Sequence, residues 1–228
     1  MFFTGQNDPS LGPKLFFIGV FSAAVSVAGL MMFVDLSSVS SGLESYAIKG
    51  VFIRSVVLFS CLVIYLLRLI VTTFVFVRRR LPWGETLIIA VLMSSAAIGF
   101  ARAGGNEAAP LGTIEYAGIL FYLIGSYLNT RSEQTRHVWK LKPENKGRLY
   151  TEGLFRYSMH INYFGDIVLF SGLAMVCHSI WIGAVPLLMA LNFVFVIIPR
   201  LDAYLADKYA DEFPSYAKRT KKLVPFVY

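Results

Sequence analysis

KGRLYTEGLFRYSMHINYFGD, residues 146–166, is the largest island of polar and charged residues in an otherwise mostly apolar chain. Apolar segments precede it, and residues 167–199 carry no formal charge before Arg200. Charged and hydrogen-bonding side chains are costly inside a bilayer. A membrane chain that gathers Arg148, Tyr157, His160, Asn162 and Asp166 therefore holds them at a membrane edge, where they can bind something polar.

The composition supports a bilayer setting. Of 228 residues, 56% are hydrophobic and 15% charged, whereas a soluble domain has about half and about a quarter. The net charge of +7 comes without any groove-reading motif, so nucleic acid is not the expected partner. Basic loops on the inner side of a membrane explain the excess better. Cys61 and Cys177 sit in apolar segments as small hydrophobes, with no disulfide framework and no metal-binding spacing.

Working outward, Leu15–Val34 is long enough to span and is read as a retained helix rather than a signal peptide, and 35–50 is a polar loop. Val51–Val77 is a second span. In it Arg54 is expected to snorkel to the near interface, while Cys61, Tyr65, Arg68 and Thr72 form one stripe facing the bundle. Arg78-Arg79-Arg80 closes that helix on a basic loop, and Thr86–Ala101 is a third, short span. Tyr116–Thr130 is the apolar part of a fourth, whose helical period continues to about Lys140 before Pro143 stops it. Along it Tyr122, Ser126, Asn129, Glu133, Arg136 or His137, and Lys140 draw a polar line. The uncharged run 167–199 is too long for one crossing and divides near Cys177-His178-Ser179, with His178 as a loop residue.

The expected fold is thus an all-α integral membrane protein of about six transmembrane helices, with room for a seventh, forming one domain over 1–228 with both termini cytosolic. In that topology Lys14, the three arginines at 78–80, seven basic residues in 131–156 and six from Arg200 onward lie inside. Lys49, Arg54 and Arg102 lie outside, and Arg68 is buried. Segments 131–166 and 200–228 then share the cytosolic side, where one ligand could meet both.

The chain has no HExxH, GxSxG, Walker or GxGxxG motif, and its three histidines are too scattered for a metal site. What is present suits a phosphorylated cofactor: cations for phosphates, carboxamides and carboxylates for ribose hydroxyls or a nicotinamide amide. The candidates are Asn129, Glu133, Lys140, Arg148, Tyr157, His160, Asn162, Asp166, Arg200, Asp202, Tyr204 and Lys208. Asn162 and Asp166, four apart, share a face if a helix starts there. Basic loops facing anionic lipid are the plainer explanation, but they leave Asn162 and Asp166 without a purpose.

GLFRYSMHINYFGD, a hydrophobic hairpin and RLDAYLADKYADEFPSYAKRTKKLVPFVY together resemble the C-terminal domain of steroid 5α-reductase-like membrane reductases. Asn162, Tyr163, Gly165 and Asp166 match the Asn-Tyr-x-Gly-Asp pattern of sterol reductases. Arg200, Asp202, Lys208-Tyr209 and Pro225-Phe226 resemble their tail. NTRSEQTRHVWK is similar to the segment in which those enzymes place an Asn and an acid for the cofactor, here Asn129 and Glu133. The resemblance covers roughly 60–228. It implies NADPH as hydride donor and a steroid, enone or lipid-like alkene that enters from the bilayer. It also implies a multi-pass location, in the endoplasmic reticulum or bacterial inner membrane, with the cofactor site facing the cytosol.

Two departures stand out. Ile161 replaces the usual Pro before the Asn, and the Gln-Glu pair of steroid 5α-reductases is absent. Tyr65 is then the expected acid, with Arg68 to favour the phenolate and Glu44 or Asp35 as partners. Two other readings stay open: an S-adenosylmethionine-dependent methyltransferase of the isoprenylcysteine carboxyl methyltransferase type, and a non-catalytic lipid-binding membrane protein.

Overall fold

A backbone in lipid must satisfy its own N–H and C=O groups, and uncharged runs of this length do so as helices. The computed structural model describes residues 10–34 and 50–228, and among these it is helical with no strand. In chain order the helices are α1 (Leu11–Phe33), α2 (Phe52–Val71), α3 (Trp83–Gly105), α4 (Thr113–Leu141), α5 (Ile161–Val176), α6 (Ala184–Asn192), α7 (Ile198–Lys208) and α8 (Phe213–Arg219). Among the described residues, four stretches are long and apolar enough to cross a bilayer: Leu11–Phe33, Phe52–Phe76, Trp83–Gly105 and Ala184–Lys208; α5 is apolar but shorter. The protein is an all-α membrane protein.

Local chemistry explains the ends. Pro82, extended at φ −67° and ψ 146°, starts α3 at Trp83, three residues before the expected Thr86. α4 runs unbroken for 29 residues and stops just short of Pro143. The uncharged run divides where it was expected to: α5 ends at Val176, His178 adopts a left-handed φ of 54°, and helix resumes at Ala184. Among the described residues two π-helical turns occur, Thr72–Phe76 after α2 and Phe193–Ile197 between α6 and α7.

The described residues form two compact units. The first comprises those up to Leu120 with Ser171–Val185, and the second comprises Phe121–Phe170 with Pro186–Tyr228. In the first, α1 packs on α3 and α2, with small Ala24, Ala28, Ala90, Ala97 and Ala101 buried among larger apolar side chains. Small residues let helix backbones approach closely in lipid, where no hydrophobic effect drives them together.

One expectation is corrected in this unit. Arg54 does not snorkel; its side chain is 0% exposed. Its guanidinium donates to Glu115 at 3.4 Å, to the Val176 carbonyl, and to the Ala109 and Pro110 carbonyls at 2.8 and 3.4 Å. Glu115 in turn accepts the Gly112 N–H at 2.7 Å and contacts His178 Nδ1 at 2.5 Å. A cation stays inside when a carboxylate and several carbonyls surround it. His178 is thus a loop residue, as expected, but one tied to a buried acid.

The second unit is built on the approach of α4 to α5. A Cβ on Gly125 would run into the Gly165 carbonyl and the Leu169 amide, and one on Gly165 would stand 2.7 Å from the Asn129 amide nitrogen. Only hydrogen fits at either position. After α4 the chain turns through Pro143–Asn145 and Gly153–Arg156, with Gly147 at φ 80° where a side chain would be strained. Leu149 and Met159 pack with Tyr209, Phe213 and Tyr216, which fastens this connector to α8 and the end of α7.

Candidate functional site

The close approach set by Gly125 and Gly165 leaves a polar seam just beyond it. Asn129 on α4 donates from its amide to Asp166 Oδ1 at 2.9 Å and to the Asn162 carbonyl at 3.1 Å. One turn further along, the Asn162 amide donates to Glu133 Oε1 at 2.8 Å. The pairs 129–166 and 133–162 step by four residues in opposite directions, as one face of two antiparallel helices must. Glu133 is buried and its second oxygen is held by Arg136; Asn129, Asn162 and Asp166 are half-buried. The Asn129–Glu133 line and the Asn162–Asp166 face, read separately from the sequence, therefore form one continuous hydrogen-bonded group.

The same unit also carries cations. Lys140 is exposed, donates to the Tyr209 hydroxyl at 2.7 Å and to the Arg148 carbonyl at 3.1 Å, and lies 5.0 Å from the Tyr209 ring centre. Lys208, also exposed, donates to the Tyr204 hydroxyl at 2.9 Å and borders the rings of both Tyr204 and Tyr209. Arg148 extends into solvent with Glu212 4.0 Å away, and Arg200 is exposed on α7. Lysines and arginines near a membrane edge attract anions by charge and charge-assisted hydrogen bonds.

His160, Asp202 and Tyr157 are placed differently. The His160 side chain is 2% exposed, with Nε2 2.8 Å from Asp202 Oδ1. Its ring lies parallel to Tyr163 at 5.7 Å, and Tyr163 stacks on Phe193 at 4.6 Å. Tyr157 is exposed and rests against Phe226.

Of the expected catalytic residues, Tyr65 and Arg68 belong to the first unit and Glu44 lies outside the described residues, as does Asp35. Tyr65 meets Phe21 edge-on at 5.8 Å, and the Arg68 guanidinium carbon is 5.7 Å from the Tyr65 ring centre. Cys61 is buried, while Tyr65, Arg68 and Thr72 are half-buried, so the stripe is in part interior.

Sequence reasoning passed over the Arg54–Glu115–His178 group and the tail contacts. The first had a signal, an acid at the head of an apolar run and an arginine at the head of another. The tail contacts are mostly backbone bonds, which leave no trace in side-chain identity. Among the described residues no group of three or more His, Cys, Asp or Glu is placed to hold a metal ion.

The geometry can be set beside known proteins. Curated relatives match 40% to 49% of this chain at low identity. A steroid 5-alpha-reductase, DET2, of Gossypium hirsutum is 28% identical over 116 residues, 49% of this chain and 42% of its own. The 3-oxo-5-alpha-steroid 4-dehydrogenase 1 of Mus musculus is 28% identical over 110 residues, 48% of this chain and 41% of its own. A protein named "Probable O-methyltransferase ustE" of Ustilaginoidea virens is 30% identical over 92 residues, 40% of this chain and 32% of its own. The match thus spans about two-fifths of each steroid enzyme and a third of the methyltransferase. A family model described as "Protein of unknown function (DUF1295)" matches residues 83–220, which hold α3, the polar seam and α8. The chain belongs to the DUF1295 family, and the steroid 5α-reductase-like resemblance of its C-terminal motifs holds.

Proposed function

We propose that the protein is a membrane-embedded oxidoreductase that uses NADPH to reduce a carbon–carbon double bond of a hydrophobic, steroid-, enone- or lipid-like substrate. The observation that carries this reading is the polar seam. Asn129, Glu133, Asn162 and Asp166 are hydrogen-bonded to one another in the same unit as exposed Lys140, Arg148, Arg200 and Lys208. Similarity to a steroid 5-alpha-reductase and to a 3-oxo-5-alpha-steroid 4-dehydrogenase supports it.

The residues fit the cofactor by their chemistry. Carboxamides and carboxylates at the seam suit ribose hydroxyls or a carboxamide, and the exposed cations suit a pyrophosphate and a further phosphate. NADPH supplies a hydride when bound. The chain's part is to hold the dinucleotide by these groups, keep water from the reacting carbon, and furnish a proton. For the proton we assign Tyr65, whose hydroxyl would donate to the developing charge on the substrate oxygen, with Arg68 favouring the phenolate that this leaves. Glu44 or Asp35 would be its partner. The substrate would enter from the bilayer, and the cofactor from the cytosolic side of an endoplasmic reticulum or bacterial inner membrane.

Titration of the detergent-purified protein with NADPH, NADH and S-adenosylmethionine tests the reading. Micromolar NADPH binding that disappears in Asn162→Ala and Arg148→Ala supports it. Similarity to the protein named "Probable O-methyltransferase ustE" gives the second reading its footing, and binding of S-adenosylmethionine alone would establish that one instead. Binding of none of the three leaves a non-catalytic lipid-binding protein.

A further inference from the structure

We propose that His160 and Asp202 are a positioning clasp, through which α7 and the C-terminal tail set the placement of Asn162 and Asp166 in the polar seam. The inference rests on reading that seam as the cofactor end. It takes His160 and Asp202 out of the set that touches cofactor.

Both side chains are largely buried. His160 is 2% exposed and Asp202 14%, and the short Nε2–Oδ1 contact at 2.8 Å occupies the imidazole nitrogen that faces α7. The ring face is covered by Tyr163, itself stacked on Phe193 in the π-helical turn. A ligand would have to break these contacts before it reached the ring. The second Asp202 oxygen lies 3.5 Å from the Lys222 ammonium, so one carboxylate spans a residue of the 158–160 segment and a residue of the tail.

The tail reinforces the same point by backbone bonds. Met159 N–H donates to the Lys221 carbonyl at 2.8 Å and His160 N–H to the Lys222 carbonyl at 3.0 Å. The Ser158 hydroxyl, fully buried, donates to the Leu223 carbonyl at 2.7 Å. Three successive residues are thus strapped to 221–223 immediately ahead of α5.

What the clasp controls follows from its place in the chain. His160 directly precedes α5, and its carbonyl accepts the first helical bond, from Phe164 N–H. Asn162 lies two residues on, and Asp166 one turn beyond that. With the first turn of a helix anchored at its leading residue, the phase of the turn is set, and with it where the Asn162 amide meets Glu133. Polar recognition is steep in such placement, since a shift of about 1 Å costs a large factor in productive geometry.

The test is a binding cycle on the full-length protein in detergent with NADPH as probe. It uses Asp202→Asn, chosen because it keeps shape and folds most readily, Asn162→Ala, and the double variant. We expect about tenfold weaker binding in each single variant and about tenfold, not a hundredfold, in the double, because both act on one group. Asp202→Glu should recover most of the loss. A uniform structural weakening would give multiplied effects in the double and no recovery, and either result overturns the clasp. Amide hydrogen exchange of residues 158–166 without ligand provides an arm independent of cofactor. It should quicken at least tenfold in Asp202→Asn and stay unchanged in Arg148→Ala. If the wild type binds no NADPH, the reductase reading falls, while unchanged exchange in Asp202→Asn would still reject the clasp.

Discussion

Asn129 on α4 donates its side-chain amide to Asp166 on α5 at 2.9 Å, and the same amide reaches the Asn162 carbonyl. The pair couples two helices directly. Hydrogen bonds between membrane helices contribute about 0.6 kcal/mol on average and up to about 1.7. We expect Asn129→Ala and Asp166→Ala to be non-additive in detergent unfolding, with a coupling energy in that range. Strictly additive losses would mean that the seam does not link the helices energetically.

Gly125 and Gly19 make opposite predictions for the same substitution. At Gly125 a methyl group meets the Gly165 carbonyl and the Leu169 backbone, so Ala must push α4 and α5 apart. Overpacking of this kind costs about 1–3 kcal/mol, and it should also disrupt the seam and weaken NADPH binding. At Gly19 nothing lies within 4 Å. Ala there should be neutral or stabilise by about 0.5–1 kcal/mol through helix propensity. Thermal unfolding of both variants, side by side, decides it.

The buried Arg54–Glu115 pair should behave as a unit. Arg54→Met alone leaves Glu115, 2% exposed, with His178 and backbone N–H donors such as Gly112 but without the Arg54 guanidinium. Loss of one partner of a buried pair typically costs about 3–5 kcal/mol. The double variant Arg54→Met with Glu115→Leu should be more stable than Arg54→Met. If the double variant is the weaker one, the pair is not what holds this end of the first unit.

Tyr216 gives the protein an alkaline limit. Its ring is 2% exposed and its hydroxyl donates to the Phe155 carbonyl at 2.7 Å. Burial pushes the phenol above its ordinary value, with the Arg219 and Arg136 charges opposing more weakly. The unfolded chain therefore releases this proton first, near pH 10. Stability is intact below that pH and falls as pH rises further through the raised value. Tyr216→Phe should lose about 1 kcal/mol at neutral pH from the missing hydrogen bond. It should also show a shallower decline above pH 10 in equilibrium unfolding.

Much of the helical scaffold could be read from the order of residues. Pro143 ends α4, the uncharged stretch after Asp166 had to break near His178, and apolar runs bounded by charge became helices. Each of these depends on contacts no farther than a helical turn or on the local solvent, and such information is written in neighbouring letters. The chemical character of Asn129, Glu133, Asn162 and Asp166 was visible for the same reason, since residue type and spacing name what a side chain can bind.

Partners distant in the chain were not legible. That Arg54 is paired with Glu115 instead of reaching the interface depends on a contact 61 positions away, and the link between His160 and Asp202 spans 42. Linear spacing carries no sign of which helix faces which. The choice is made when glycines such as Gly125 and Gly165 let two backbones meet and buried polar groups then find the nearest complement. Residue identity settled what chemistry is on hand; packing settled which groups share it, because burial in lipid penalises every polar atom left without a partner.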